Sequence, residues 1–259
     1  MLNASAREIL LYLSLKYDGE WDSICKAIVE REPISQEDLK KRLLEFKGSY
    51  VTMYDENYPR KLSRVYKPPF VLYYYGDLSL INLPSLSVVG SRECSEYARI
   101  STIKIIKELE NKLVIVSGLA RGIDSIAHQT AIDIGIKTIA ILGCGIDYCY
   151  PLENKELYSE IKSNHLLISE YPLSSMPKKH RFPYRNRLIG AFGDALFIAE
   201  AKASSSGTYH TLRATLEMGK DVYCLPSANL EDSLTNRLIK EGALLVECGR
   251  DILEDMKIE

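Results

Sequence analysis

Residues 113–135 read LVIVSGLARGIDSIAHQTAIDIG, and their order decides the class of fold. Leu113–Val116 is apolar at every position, as expected of a strand covered on both faces. Ser117-Gly118-Leu119-Ala120-Arg121-Gly122 then breaks the run with two glycines and a cation. From Ile123 to Gly135 the apolar positions return at helical spacing. Strand, glycine turn and helix make up the first part of a parallel crossover. Apolar runs at Leu86–Val89, Thr138–Leu142, Leu166–Ile168, Ala195–Ile198 and Val222–Leu225, with amphipathic stretches at Ile100–Leu109 and Thr208–Gly219, repeat the unit. The predicted fold is α/β: a doubly wound, mainly parallel sheet with helices on both faces.

Upstream the pattern changes. Residues 1–47 carry three helical segments, from Ser5 to Tyr17, from Glu20 to Glu30 and from Ser35 onward; Ser5 and Glu8 have capping-box spacing. This forms a small all-helical domain. With 12 basic and 12 acidic residues over 1–80, it suits protein contact better than phosphate binding. Residues 48–80 form a connector rich in Tyr and Pro that opens the sheet domain, with Phe70 to Tyr75 as a strand, and 81–259 complete that domain. The connector's tyrosines could stack on bases, but packing is the ordinary role of an aromatic strand.

In a doubly wound sheet, ligands bind outside the carboxyl ends of the strands. The loops expected there are Gly90-Ser91-Arg92, Ser117 to Gly122, Gly143-Cys144-Gly145 and Ser204 to Gly207. Glycines admit close approach, helix-start amides favour phosphate, and Arg92 and Arg121 add forked donors. The net charge is only −2, so attraction to phosphate has to come from a local cluster. One is present: Lys178 to Arg187 (KKHRFPYRNR) holds five Lys or Arg, no acid and two aromatics. Its neighbourhood, Pro172 to Pro183, is read as a loop following a strand that brings the stretch to the same rim, where cations neutralise phosphates and Phe182 offers a face to a base. Arg185 or Arg187 could instead pair with acids and anchor the helix that follows.

Other chemistries find little support. Neither G-x-G-x-x-G nor G-x-x-x-x-G-K-[ST] occurs, so no cofactor is expected. His128, His165, His180 and His210 lack a Ser or Cys partner pattern, and Ser206-Gly207-Thr208 is no nucleophile elbow. Glu200 and Glu217 could bring a carboxylate near the rim, or simply orient an arginine or a loop amide. The six cysteines are scattered without C-x-x-C spacing, which argues for reduced core thiols rather than a metal site. The absence of a signal pattern and of any membrane-length apolar run predicts a cytoplasmic protein with no membrane partner.

Together these motifs resemble the DNA-processing protein A family (DprA, also called Smf). The resemblance lies in Val88 to Arg92 (VVGSR), Ser117 to Asp124 (SGLARGID), Ala127-His128 and Leu142 to Asp147 (LGCGID). It continues through Tyr150-Pro151, Asn154, Ile168 to Pro172 (ISEYP), Phe182 to Ile189 (FPYRNRLI), Ser206-Gly207 and Asn236 to Ala243 (NRLIKEGA). It implies an extended Rossmann-like domain that binds single-stranded DNA without catalysis, behind a SAM-like helical module. It also implies a homodimer, formed through the Rossmann-like domain, that protects incoming DNA and loads RecA recombinase during natural transformation. Carried onto this chain, the DNA contacts would be Gly90, Ser91 and Arg92; Ser117, Gly118, Arg121 and Gly122; and Asn154. Lys178, Lys179, Arg181, Phe182, Arg185 and Asn186 would follow, with Ser206 and Gly207. Pro226-Ser227, Leu234 and the Ser205 to Thr208 loop depart from the family's usual residues, and a winged-helix-like C-terminal module is expected to be absent. The alternative is a nucleotide-binding or nucleotide-hydrolysing Rossmann-like enzyme, resting on Ser206-Gly207-Thr208 with Glu217 downstream.

Overall fold

The computed structural model describes residues 4–228 and 232–258. Three helices come first: α1 (Ala6–Lys16), α2 (Trp21–Val29) and α3 (Gln36–Glu45). The Ser5–Glu8 capping box closes α1 with both reciprocal bonds, Glu8 N–H to Ser5 Oγ at 3.2 Å and Ser5 N–H to Glu8 Oε2 at 2.8 Å. Ser35 caps α3 through the Asp38 amide. The sheet domain follows with β1 (Ser49–Thr52), β2 (Val71–Gly76), β3 (Ser85–Val89), α4 (Glu96–Lys107), β4 (Val114–Ser117) and α5 (Ile123–Asp133). Next are β5 (Thr138–Leu142), α6 (Lys155–Asn164), β6 (Leu166–Ser169), α7 (Arg181–Phe192), β7 (Ala195–Ile198) and α8 (Ser206–Glu217). The chain closes with β8 (Val222–Cys224), α9 (Leu234–Lys240), β9 (Leu244–Leu245) and α10 (Gly249–Asp255).

The strands form one sheet in the order β1-β2-β6-β5-β4-β3-β7-β8-β9. β1 with β2 and β2 with β6 pair antiparallel; every other pair is parallel. Because strand side chains alternate, one face sends Val116, Ile141, Ile168, Leu196 and Cys224 under α7, α8 and α9. The opposite face sends Leu86, Val88, Ile115, Phe197 and Tyr223 under α4, α5 and α10, and Ala140, Leu142 and Leu167 under α6 and α1. Both faces are therefore covered, which is why the strands lack a polar side. From β3 the chain winds outward through β4, β5 and β6, then crosses back to place β7 on the other flank of β3. The topological switch point lies between β3 and β7.

The helical module has its own core of Tyr12, Leu13, Ile24, Ala27 and Leu39. It docks on the β1–β2 end of the sheet, where Tyr73 donates to Ser14 Oγ at 2.9 Å and Trp21 stacks on Phe70 with ring centroids 5.2 Å apart. The loop read over Pro172 to Pro183 ends sooner than expected, since α7 begins at Arg181 and carries Arg181 to Arg187. Pro183 is tolerated because it sits in the first turn, where no intrahelical acceptor awaits its missing N–H. Cations at a helix start oppose the helix dipole, and here Asp18 and Glu20 compensate Arg181.

His128 on α5 gives the fold a pH dependence. Thr138 Oγ1 donates to the Ile115 carbonyl, so the 2.6 Å contact from His128 Nδ1 to Thr138 must carry the proton on the imidazole. Nε2 is buried with no partner among the described residues. Burial, helped by His165 and Arg185 nearby, pushes the imidazole down to about 3. Below about pH 6.5 the unfolded chain binds a proton that the fold refuses, so stability is lost as pH falls through that value. Between about pH 7.5 and pH 5 the expected loss is about 2 kcal/mol. Urea denaturation at the two pH values measures it, and in His128→Gln that part of the slope disappears.

Candidate nucleic-acid interface

At the switch point, the loops after β3 and β7 enclose a cleft of about 470 Å³. Its floor is fixed by interlocking backbone. Ser91 N–H donates to the Glu200 carbonyl at 2.7 Å, and Ile123 N–H donates to the Ser91 carbonyl at 3.1 Å. Gly122 makes this possible: its φ is +74°, and a Cβ there would come within 2.3 Å of Ser91 O. The Glu200 carboxylate accepts from the amide and hydroxyl of Ser95, which caps α4. Its role is thus to orient the loop that carries Arg92. Asp124, fully buried, accepts from the amides of Gly118 (3.1 Å) and Ala120 (3.4 Å) and shapes the second loop. Burial raises its carboxyl, against the pull of Arg185 and these two amides.

Gly90, Ser91, Arg92, Phe182, Asn186, Ser206 and Gly207 line this cleft. The α8 start faces it, and the Ser205 side chain makes no capping bond to its amides. Asn186 holds that turn by donating to the Gly207 carbonyl at 3.0 Å. A smaller hollow beside the cleft is lined by Arg92, Gly118, Arg121, Tyr150 and Phe182. There the Phe182 and Tyr150 rings lie 5.0 Å apart at 31°. Phe182 also leans on Gly143, where a Cβ would meet the ring at 2.8 Å. Arg121 is exposed and only loosely paired with Glu153 at 3.5 Å. Asn154 does not face the cleft; its amide donates to the carbonyls of Leu119 (3.0 Å) and Ala120 (3.3 Å), steadying the loop that bears Arg121.

Several residues expected at the rim stand away from it. Ser117 is buried and donates to the Val88 carbonyl at 2.6 Å, tying β4 to β3. Arg181, with a fully buried side chain, donates to Asp18 (2.7 Å) and Glu20 (2.6 Å) and lies over the Tyr171 ring. Burial opposes the charge on Asp18, but hydrogen bonds from Ser175, Lys178 and Arg181 outweigh it and hold its carboxyl below the ordinary range. Lys178 is bound in the same cluster, 3.0 Å from Asp18. Arg185 is also buried and, although it lines both the cleft and the smaller hollow, its guanidinium is committed to the carbonyls of Gly118 (2.8 Å) and Ile141. A guanidinium that loses its water must find acceptors inside the protein, and the surroundings of Arg181 and Arg185 supply them. Lys179 remains exposed, and it forms no ion pair among the described residues.

Two residues of this edge escaped the sequence reading. Lys202, exposed and without an ion pair among the described residues, lines the same cleft as Arg92. Its only signal was its place between β7 and the serine loop. Tyr150, exposed beside Phe182, stood in view as the aromatic before Pro151. Glu217 sits at the far end of α8, about 16 Å along the axis from Ser206, and pairs with Arg213 at 2.7 Å. The nucleotide-hydrolysing alternative, which needs that carboxylate beside the serine loop, loses its support. Among the described residues no group of three or more His, Cys, Asp or Glu could hold a metal, and no helix is long and apolar enough to cross a membrane.

Comparison with known proteins agrees with this architecture. The sequence model of the family described as DNA recombination-mediator protein A matches residues 49–257. DNA processing protein DprA of Streptococcus pneumoniae is 45% identical over 206 residues, spanning 78% of this chain and 72% of that protein. Protein Smf of Synechocystis is 38% identical over 215 residues, 77% of this chain but 54% of that protein. The X-ray structure of the pneumococcal protein superposes with a TM-score of 0.78 at 35% identity, covering 97% of this chain and 93% of that one. A structure of DNA processing protein A from Helicobacter pylori, described for its single-stranded DNA binding mode, gives 0.72 at 31% identity over 81% of this chain and 96% of that one. With residues 49–257 matched by the family model and a 45% identical relative spanned over 72% of its length, this chain belongs to the DNA recombination-mediator protein A family.

Proposed function

We propose that this protein binds single-stranded DNA along the carboxyl edge of its sheet, and does so as a binding protein rather than an enzyme. The observation that carries the reading is the grouping of exposed Arg92 and Lys202 in one cleft that Phe182, paired with Tyr150, also lines. Cations meet phosphates, aromatic rings meet bases, and open helix-start amides at Ser206 and Gly207 add anion donors. The groups that would otherwise serve catalysis are taken: Glu200 holds Ser95, His128 is buried and neutral, and burial pushes the Cys144 thiol up to about 11. Arg121, Gly118 and Lys179 extend the same surface, while Arg181, Arg185, Gly122 and Asn154 position it.

Family membership supports the rest of the reading. In the cytoplasm the protein would shield incoming single strands and hand them to RecA recombinase in natural transformation. It would act as a homodimer through the sheet domain, and β9 supports this by ending the sheet with exposed Leu244 and Leu245. Stacking is tested directly with Phe182→Ala. Base–aromatic stacking contributes about 1–3 kcal/mol per base, so affinity for labelled homopolymer strands should fall roughly tenfold whichever base they carry. Unchanged affinity on all of them would remove Phe182 from the interface.

A further inference from the structure

Beside the cleft lies a second cavity, of about 560 Å³, which the proposed function leaves unused. Its walls are the approach to β2 (Arg64, Tyr66), the start of α7 (Tyr184) and the outer half of α8 (His210, Arg213). It continues the cleft, since Pro183 lines both, and α8 runs from Ser206 at one to Arg213 at the other. Arg64 is exposed and makes no ion pair among the described residues. Arg213 is held only by Glu217 one turn along its own helix, in a bridge whose two side chains are 80% and 49% exposed. Pairs of that kind are weak and can be shared with a phosphate.

The aromatic content points the same way. Tyr66 is 65% exposed, with the Lys67 ammonium 5.5 Å from its ring centre. Tyr184 carries the Arg187 guanidinium on one face at 3.7 Å, and its buried hydroxyl has no hydrogen-bond partner among the described residues. A buried hydroxyl left unpaired costs free energy that a bound polar group would recover. Tyrosines set between cations, in line with a cleft already suited to a strand, suit further nucleotides better than an apolar peptide.

We propose that this cavity is a second subsite for the same strand. Nucleotides leaving the cleft across Pro183 would place bases against Tyr66 and Tyr184 and phosphates near Arg64 and Arg213. The proposal rests on the cleft itself binding single-stranded DNA. The test combines Arg64→Ala, Tyr66→Ala and Arg213→Ala, all at exposed positions, in the full chain. Fluorescence polarisation is read with labelled oligo-dT of about 5 and about 15 nucleotides. The expected result is unchanged affinity for the short strand and a loss of about tenfold on the long one, whereas Arg92→Ala weakens both. Wild-type affinity on the long strand would overturn the second subsite and leave the cleft standing. Equal loss on both lengths would place these residues inside the primary site and overturn the separate one. If the unaltered protein bound neither length, the cleft reading would fall and this proposal with it.

Discussion

Replacing Arg92 and Lys202 together by alanine is expected to weaken single-stranded DNA binding about a hundredfold at physiological salt, roughly tenfold for each phosphate contact removed. Both side chains are exposed and without an ion pair among the described residues, so their loss leaves the fold intact. They line the same cleft. Each phosphate neutralised on a single strand contributes about 0.7 to the slope of log affinity against log salt, so the double variant should flatten that slope by about 1.4. The loss should be the same for every base composition, because phosphates carry no sequence. Affinity and slope both unchanged, measured by polarisation across a salt series, would place the strand elsewhere on the molecule.

Arg187→Ala should have the largest effect on stability. Arg187 donates to both oxygens of Glu170 at 2.7 Å, and the two side chains are 8% and 2% exposed. It also donates to the carbonyls of Tyr66 (3.0 Å), Lys67 (2.9 Å) and Tyr184 (3.0 Å), joining α7 to the approach to β2. Removing one partner of a buried pair strands the other charge without water, at a cost of about 3–5 kcal/mol. Chemical denaturation reads this as a large drop in the midpoint. Lys179→Ala, eight residues earlier in the same basic run and fully in solvent, should move the midpoint by less than about 0.5 kcal/mol. Equal, small effects from both would contradict the division of this run into core and surface cations.

That division shows what local sequence can and cannot convey. Val114 to Val116 and Ile139 to Leu142 are legible as strands because a position covered on both faces tolerates only apolar side chains. β1 is harder to see: Ser49–Thr52 is a four-residue edge strand, and only Val51 and Thr52 are buried. β9 is two leucines that stay exposed, so it leaves no burial pattern at all. Along Lys178 to Arg187 nothing local separates Lys179, which faces water, from Arg181, which is buried. The difference is made by Asp18 and Glu20, some 160 residues earlier in the chain. The start of α7 was hidden for the same reason, since a proline among cations reads as a loop until distant acids neutralise them. Of the candidate site, the glycine and serine loops were legible because backbone approach demands small residues. Lys202 was not, because a lone cation between Ala201 and Ala203 forms no cluster until the fold sets it in one cleft with Arg92.

Whether the switch-point cleft holds a polymer strand is read by polarisation of a labelled single-stranded oligonucleotide across a salt series, with mononucleotides and duplex DNA as competitors. The expected result is tight binding that weakens by about 0.7 log units per neutralised phosphate per log unit of salt, with little displacement by mononucleotides and less by duplex than by unlabelled single strand. Absence of binding at low salt, or ready displacement by a single mononucleotide, would contradict it and make the cleft a small-molecule pocket.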